Sequence, residues 1–170
     1  DGAPYDFFGS SVAIDSNIVL VGAPYDDDLG DASGACYLFQ EQGGQWHEVA
    51  KLTAGDNTPW WDGFGASLAI EGDSIVVGSR DNDFYGISAG AVFVFRRQDD
   101  EWVQEALLRS AAARPQSYFG SSLDICQGRI VVGATQGNLA RPQSGTVVLF
   151  QEGDSGWRQI GAFANRDPVD

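Results

Sequence analysis

The 170 residues carry 24 Asp and Glu against 10 Lys and Arg, a formal charge of −14, and 12% are aromatic. A chain of this length and composition supports one core of ordinary size, and so acidic a balance excludes nucleic acid and anionic membrane surfaces as partners, because neutralising phosphates takes Lys and Arg. No apolar run approaches the 18 residues of a membrane-crossing helix, no signal-type segment is visible, and the start at Asp1 reads as that of a mature or excised segment.

In chain order, the first elements are Phe8-Gly9-Ser10-Ser11-Val12-Ala13-Ile14 and, after a tight Asp15-Ser16-Asn17 turn, Val19-Leu20-Val21-Gly22-Ala23-Pro24. This pair returns twice: Phe64-Gly65 to Ile70 with Val76-Val77-Gly78, and Phe119-Gly120 to Ile125 with Val131-Val132-Gly133. Gly9 to Gly22, Gly65 to Gly78 and Gly120 to Gly133 each span 13 residues; 12 more lead to Gly34, Gly90 and Gly145, and another 12 to Trp46, Trp102 and Trp157. Intervals kept through three copies define a structural repeat.

Each repeat reads as four short strands. The first is rich in Gly, Ser and Ala, which suits a crowded innermost position. The second and third, such as Ile75-Val76-Val77 and Ala91-Val92-Phe93-Val94-Phe95, are apolar on both faces and so buried on both. The fourth begins at the Trp and mixes polar with apolar residues, as an outer edge strand does. Such a unit must cover each face with another like it, and the gradient from small inner residues to a polar outer strand points to strands converging on an axis. The expected fold is all-β: three four-stranded antiparallel propeller blades, at about residues 5–54, 60–110 and 115–165. The recurring Trp46, Trp102 and Trp157 are expected in the core or the seams between blades.

Phe-Gly, then Val-Gly-Ala-Pro, then a Gly before Tyr-Leu-Phe, then Trp, resembles the FG-GAP repeat of bacterial and eukaryotic surface proteins, which is related to the propeller of integrin alpha subunits. The resemblance covers about residues 5 to 165. It implies a β-propeller, an extracellular or cell-surface location, and a role in adhesion or protein binding. Some integrin repeats carry an Asp-rich calcium loop between the first two strands. Here that place holds the bare turn Asp15-Ser16-Asn17, so the integrin calcium site does not carry over. Three blades are too few to close a ring. Either the chain is part of a six- or seven-bladed propeller, or two copies pair as three plus three into a homodimeric six-bladed ring. The partners to expect are therefore neighbouring blades or a second copy of the chain, together with a protein or glycan ligand.

Antiparallel alternation puts the longer loops on one face of the ring. Loops of fixed length and varied content suit a recognition surface. Ligand-binding candidates there are Trp60, Trp61 and Asp62 in the loop before the second blade, with Tyr25, Tyr85 and Tyr118. Trp60-Trp61 suits stacking on a sugar ring; the plainer alternative is that these rings plug a seam. Asp26, Asp28 and Asp31 offer oxygen ligands for calcium. Their spacing is not that of an EF-hand, and a solvated acidic turn is the plainer reading. Cys36 and Cys126 fall at different places in their repeats, which predicts two free, largely buried thiols. One histidine, His47, no positioned nucleophile and no phosphate loop leave no support for an enzyme. The expectation is a non-catalytic interaction module, with a carbohydrate-binding propeller or a structural segment of a larger extracellular assembly as alternatives.

Overall fold

The computed structural model describes residues 2–55, 61–137 and 144–164. Twelve strands form three separate four-stranded antiparallel sheets. The first holds β1 (Ser11–Asp15), β2 (Ile18–Ala23), β3 (Ala35–Gln42) and β4 (Gln45–Leu52). The second holds β5 (Phe64–Glu71), β6 (Ser74–Ser79), β7 (Ala91–Gln98) and β8 (Glu101–Leu108). The third holds β9 (Phe119–Cys126), β10 (Arg129–Ala134), β11 (Thr146–Gly153) and β12 (Gly156–Phe163). Within each sheet, spatial order equals chain order, and the first strands β1, β5 and β9 lie side by side. This is the expected propeller geometry, as an arc that does not close.

Side chains alternate across each strand, so successive residues of the second and third strands serve different seams. We call the side turned to the preceding blade the leading face and the other the trailing face. Leu20, Cys36, Leu38 and Leu52 on the trailing face of blade 1 bury against Phe64, Leu68, Val77 and Phe93 of blade 2. Val76, Val92, Val94 and Leu108 bury likewise against Phe119, Ile125, Val132 and Phe150 of blade 3. Each blade's Phe packs edge-on within its own sheet, Phe64 on Phe93 and Phe119 on Phe150. The outer hairpins share one bulge: pairing shifts after Leu38, Val94 and Leu149, leaving Val49, Glu105 and Ile160 unpaired and twisting each outer strand alike.

Backbone contacts repeat from seam to seam. Trp61, Gly63 and Phe64 donate their amides to the carbonyls of Asp31, Ala32 and Ser33. Gln116, Tyr118 and Phe119 donate in the same way to Ile87, Ser88 and Ala89. Ser11 Oγ donates to the Gly65 carbonyl at 2.6 Å, and Ser67 Oγ to that of Gly120 at 2.7 Å. So close an approach requires glycine: a Cβ at Gly22 or Gly78 would be driven into the Gly65 or Gly120 carbonyl.

Two expectations are corrected. Cys36 is buried and free, and its burial pushes the thiol pKa up; Cys126 is free but exposed, because it ends β9 on the uncovered side of blade 3. Trp102 and Trp157 pack against the two filled seams, whereas Trp46 is exposed, because its leading face has no blade before it.

Candidate functional site

Ring geometry brings together loops that are distant in sequence. The loop after β2, the segment leading into β5 and the loop after β6 meet around a cleft of about 310 Å³ between blades 1 and 2. Tyr25 and Trp61 form its aromatic wall, Asp81 and Asp83 its acidic one, and Ile87 and Ser88 close the end. Trp61 is fixed by its backbone, with φ of 70° and its amide donating to Asp31 at 2.8 Å, yet the residue remains 63% exposed. Tyr25 leans on Phe7, with ring centroids 5.2 Å apart.

The acidic wall is built from turn hydrogen bonds. Asp83 accepts the Ser88 amide at 2.6 Å, and Asp81 accepts from Arg80 Nε at 3.2 Å. Behind them Asp62 is fully buried and accepts from Asn82 Nδ2 at 2.6 Å and, more weakly, from the Asp83 amide at 3.4 Å. Burial pushes its carboxyl pKa up to about 6; the neighbouring charges of Asp83 and Asp81 add to the rise, which the two hydrogen bonds oppose. Asp62 therefore supports the cleft from behind and does not line it.

The remaining sequence candidates disperse. Tyr85 packs edge-on against Phe84 and lies under Arg109, whose guanidinium is 4.7 Å from the ring centroid. Tyr118 belongs to the second seam, donating its amide to the Ser88 carbonyl and so fixing the closed end of the cleft. Trp60 lies outside the described residues. Asp26, one of the three oxygen-ligand candidates, turns inward, accepting from Tyr37 Oη at 2.6 Å and from Lys51 Nζ, and Asp28 accepts from the same ammonium. Burial alone would lower the Lys51 pKa, but hydrogen bonds to Asp28, Tyr37 and Asp26 outweigh it and raise the value. Among the described residues no three carboxylate, His or Cys groups gather as a metal site, so Asp31 does not join Asp26 and Asp28. Lys51 supplies the positive charge there, and nothing in the spacing of the first repeat pointed to it.

The FG-GAP repeat family model matches residues 1–39 and 46–95, just over half of the chain. The chain belongs to the FG-GAP repeat family. No curated protein matches it. Among solved structures, a hypothetical selenium-binding protein from Sulfolobus tokodaii is similar at 11% identity and a TM-score of 0.50, over 88% of this chain and 40% of that one. The FG-GAP chain thus spans well under half of that neighbour's length, and the likeness supports the fold alone. The two matched segments reach, in whole or in part, every strand of the first two blades except β8, and the third blade follows from the repeated intervals.

Proposed function

We propose that this FG-GAP chain is a non-catalytic interaction module of a cell-surface or secreted protein, binding a protein partner through its long-loop face at the Tyr25–Trp61 cleft. The observation that carries this reading is an exposed indole, held through its backbone amide, that lines one cleft together with two carboxylates. A Lys or Arg side chain of a partner fits: its charge meets Asp81 and Asp83, and its stem or guanidinium packs on the rings. A cationic head also suits a molecule of charge −14. The test is binding to an array of Lys- and Arg-rich peptides, beside acidic and neutral controls, by the natural chain and by folded Trp61→Ala and Asp81→Asn/Asp83→Asn variants. At least a tenfold loss in both variants is expected; equal binding by all three proteins would overturn the reading.

A glycan is the second reading, favoured because Trp61 and Tyr25 offer ring faces beside acceptor carboxylates, the pairing that sugars use. Glycan-array binding lost in Trp61→Ala, with no peptide response, would select it.

A further inference from the structure

The two ends of the arc carry the two halves of a third seam. On blade 3, Val131 and Val147 are 38% and 39% exposed, and Phe163 is 58% exposed, where their counterparts Leu20 and Val76, Cys36 and Val92, and Leu52 and Leu108 are buried in the filled seams. Ser122 and Gly133 stand where Ser11 with Gly22, and Ser67 with Gly78, receive the next blade's Phe-Gly carbonyl. Among the described residues no carbonyl from another blade reaches them; instead they border an open groove of about 530 Å³.

At the other end, Phe8 is 55% exposed although Phe64 and Phe119 are fully buried, and Val12 and Ile14 are exposed beside it. Its backbone is already shaped for a seam. Tyr5 and Phe7 hold φ of 81° and 54°, matching Trp61 and Gly63 at 70° and 61° and Gln116 and Tyr118 at 60° and 52°. Non-glycine residues seldom adopt such angles, and here they recur at the places that the two filled seams occupy.

Charge agrees with shape. In the second seam Arg96, beside Ser74 on the trailing face, reaches Glu152 of blade 3 at 2.6 Å. On blade 3 the counterparts of Arg96 and Ser74 are Gln151 and Arg129, which pair across β10 and β11, and the blade 1 counterpart of Glu152 is Glu41. A basic residue thus stands on the trailing face of blade 3, at the place of Ser74, and an acidic one on the leading face of blade 1.

We infer that blade 3 receives blade 1 of a second copy of this chain, with the Gly9 carbonyl accepting from Ser122 Oγ, Gly133 beneath it, and Arg129 meeting Glu41. Each chain supplies one half of each seam, so two head-to-tail seams join a pair. The association is reversible. Asp124 replaces the apolar Ala13 and Ala69, and Cys126 replaces Asp15 and Glu71, whose carboxylates accept the amides of Gly72 and Gln127 across the filled seams.

The decisive variant is Gly133→Ala. Within one chain the added methyl meets only the Ser122 side chain, which can rotate away, whereas in a filled seam it strikes a carbonyl. Light scattering over a range of concentrations is expected to show the natural chain rising from 18.2 kDa toward twice that mass. Gly133→Ala is expected to remain at 18.2 kDa with unchanged circular dichroism and, at dilutions where the natural chain is also monomeric, an unchanged melting temperature. Arg129→Glu should weaken association and Arg129→Glu/Glu41→Arg should restore it. A natural chain that stays monomeric throughout, or association that both Gly133→Ala and Arg129→Glu leave unchanged, would overturn the inference.

Discussion

Asp62 carries a full burial penalty for its charge, with one good hydrogen bond and one long one in return. Its folded pKa, raised to about 6 from an ordinary value near 3.8, means that the folded state binds more protons than the unfolded state between those pH values. Stability from this group is therefore greatest in acid and falls as pH rises through about 4 to 6, with a slope on the order of 1 kcal/mol per pH unit. Asp62→Asn keeps an acceptor for Asn82 and removes the charge. Urea denaturation at pH 4.5 and 6.5 is expected to show a smaller loss of stability across that interval in the variant than in the natural chain; equal losses would show that Asp62 ionises freely. Asp26 solves the same problem differently, by drawing Lys51 and the Tyr37 hydroxyl onto its oxygens. Neither solution was legible in the sequence. Asp26 read as a solvent-facing oxygen ligand because Lys51 is 25 residues away, and Asp62 read as a binding residue because its burial comes from the turn after β6, 20 residues along the same blade.

A blade is fixed by where its backbone touches the next one. That is why the fold was legible in the sequence: Gly22, Gly78 and the Ser and Phe-Gly positions around them recur at constant intervals because each sits where two main chains meet. Gly78→Ala would force a methyl into the Gly120 carbonyl and break the hydrogen bond from Ser67. A loss of about 2 kcal/mol is expected, from overpacking together with the lost bond, read as a lower urea midpoint. At dilutions where the natural chain is monomeric, the same change at Gly133 is expected to leave the midpoint in place, so a pair of chemically identical substitutions reports which seams are filled within one chain. The cleft was only partly legible, for a related reason. Tyr25 and Trp61 could be chosen by residue type, but Asp81, Asp83 and Ile87 follow β6 of the second repeat and meet Tyr25 of the first only through the lateral packing of blades 1 and 2. Repeated intervals report what the blades share, whereas a site built from differences between loops leaves no periodic trace. The end blades show the converse limit: Trp46 and Cys126 occupy regular positions in their repeats yet are exposed, because exposure depends on whether a blade packs on that side.

At the scale of the whole molecule, the charge of −14 acts oppositely on the two surfaces proposed above. A basic peptide is drawn to the Asp81–Asp83 cleft by the whole field of the protein as well as by two carboxylates, and salt screens that attraction. A second copy brings the same large negative charge, so apolar seam burial must overcome mutual repulsion that salt relieves. The single Arg129–Glu41 pair is exposed at the rim and offsets little of it. Raising NaCl from about 0.05 to 0.5 M shortens the Debye length from well over 10 Å to under 5 Å. Peptide affinity is then expected to fall several-fold while the dimer dissociation constant also falls, meaning tighter association. Titration calorimetry for the peptide and light scattering for self-association, on one preparation, read both. A seam weakened by salt in parallel with the cleft would show that ion pairing governs it, and the role assigned to Val131, Val147 and the Phe8-Gly9 edge would fail.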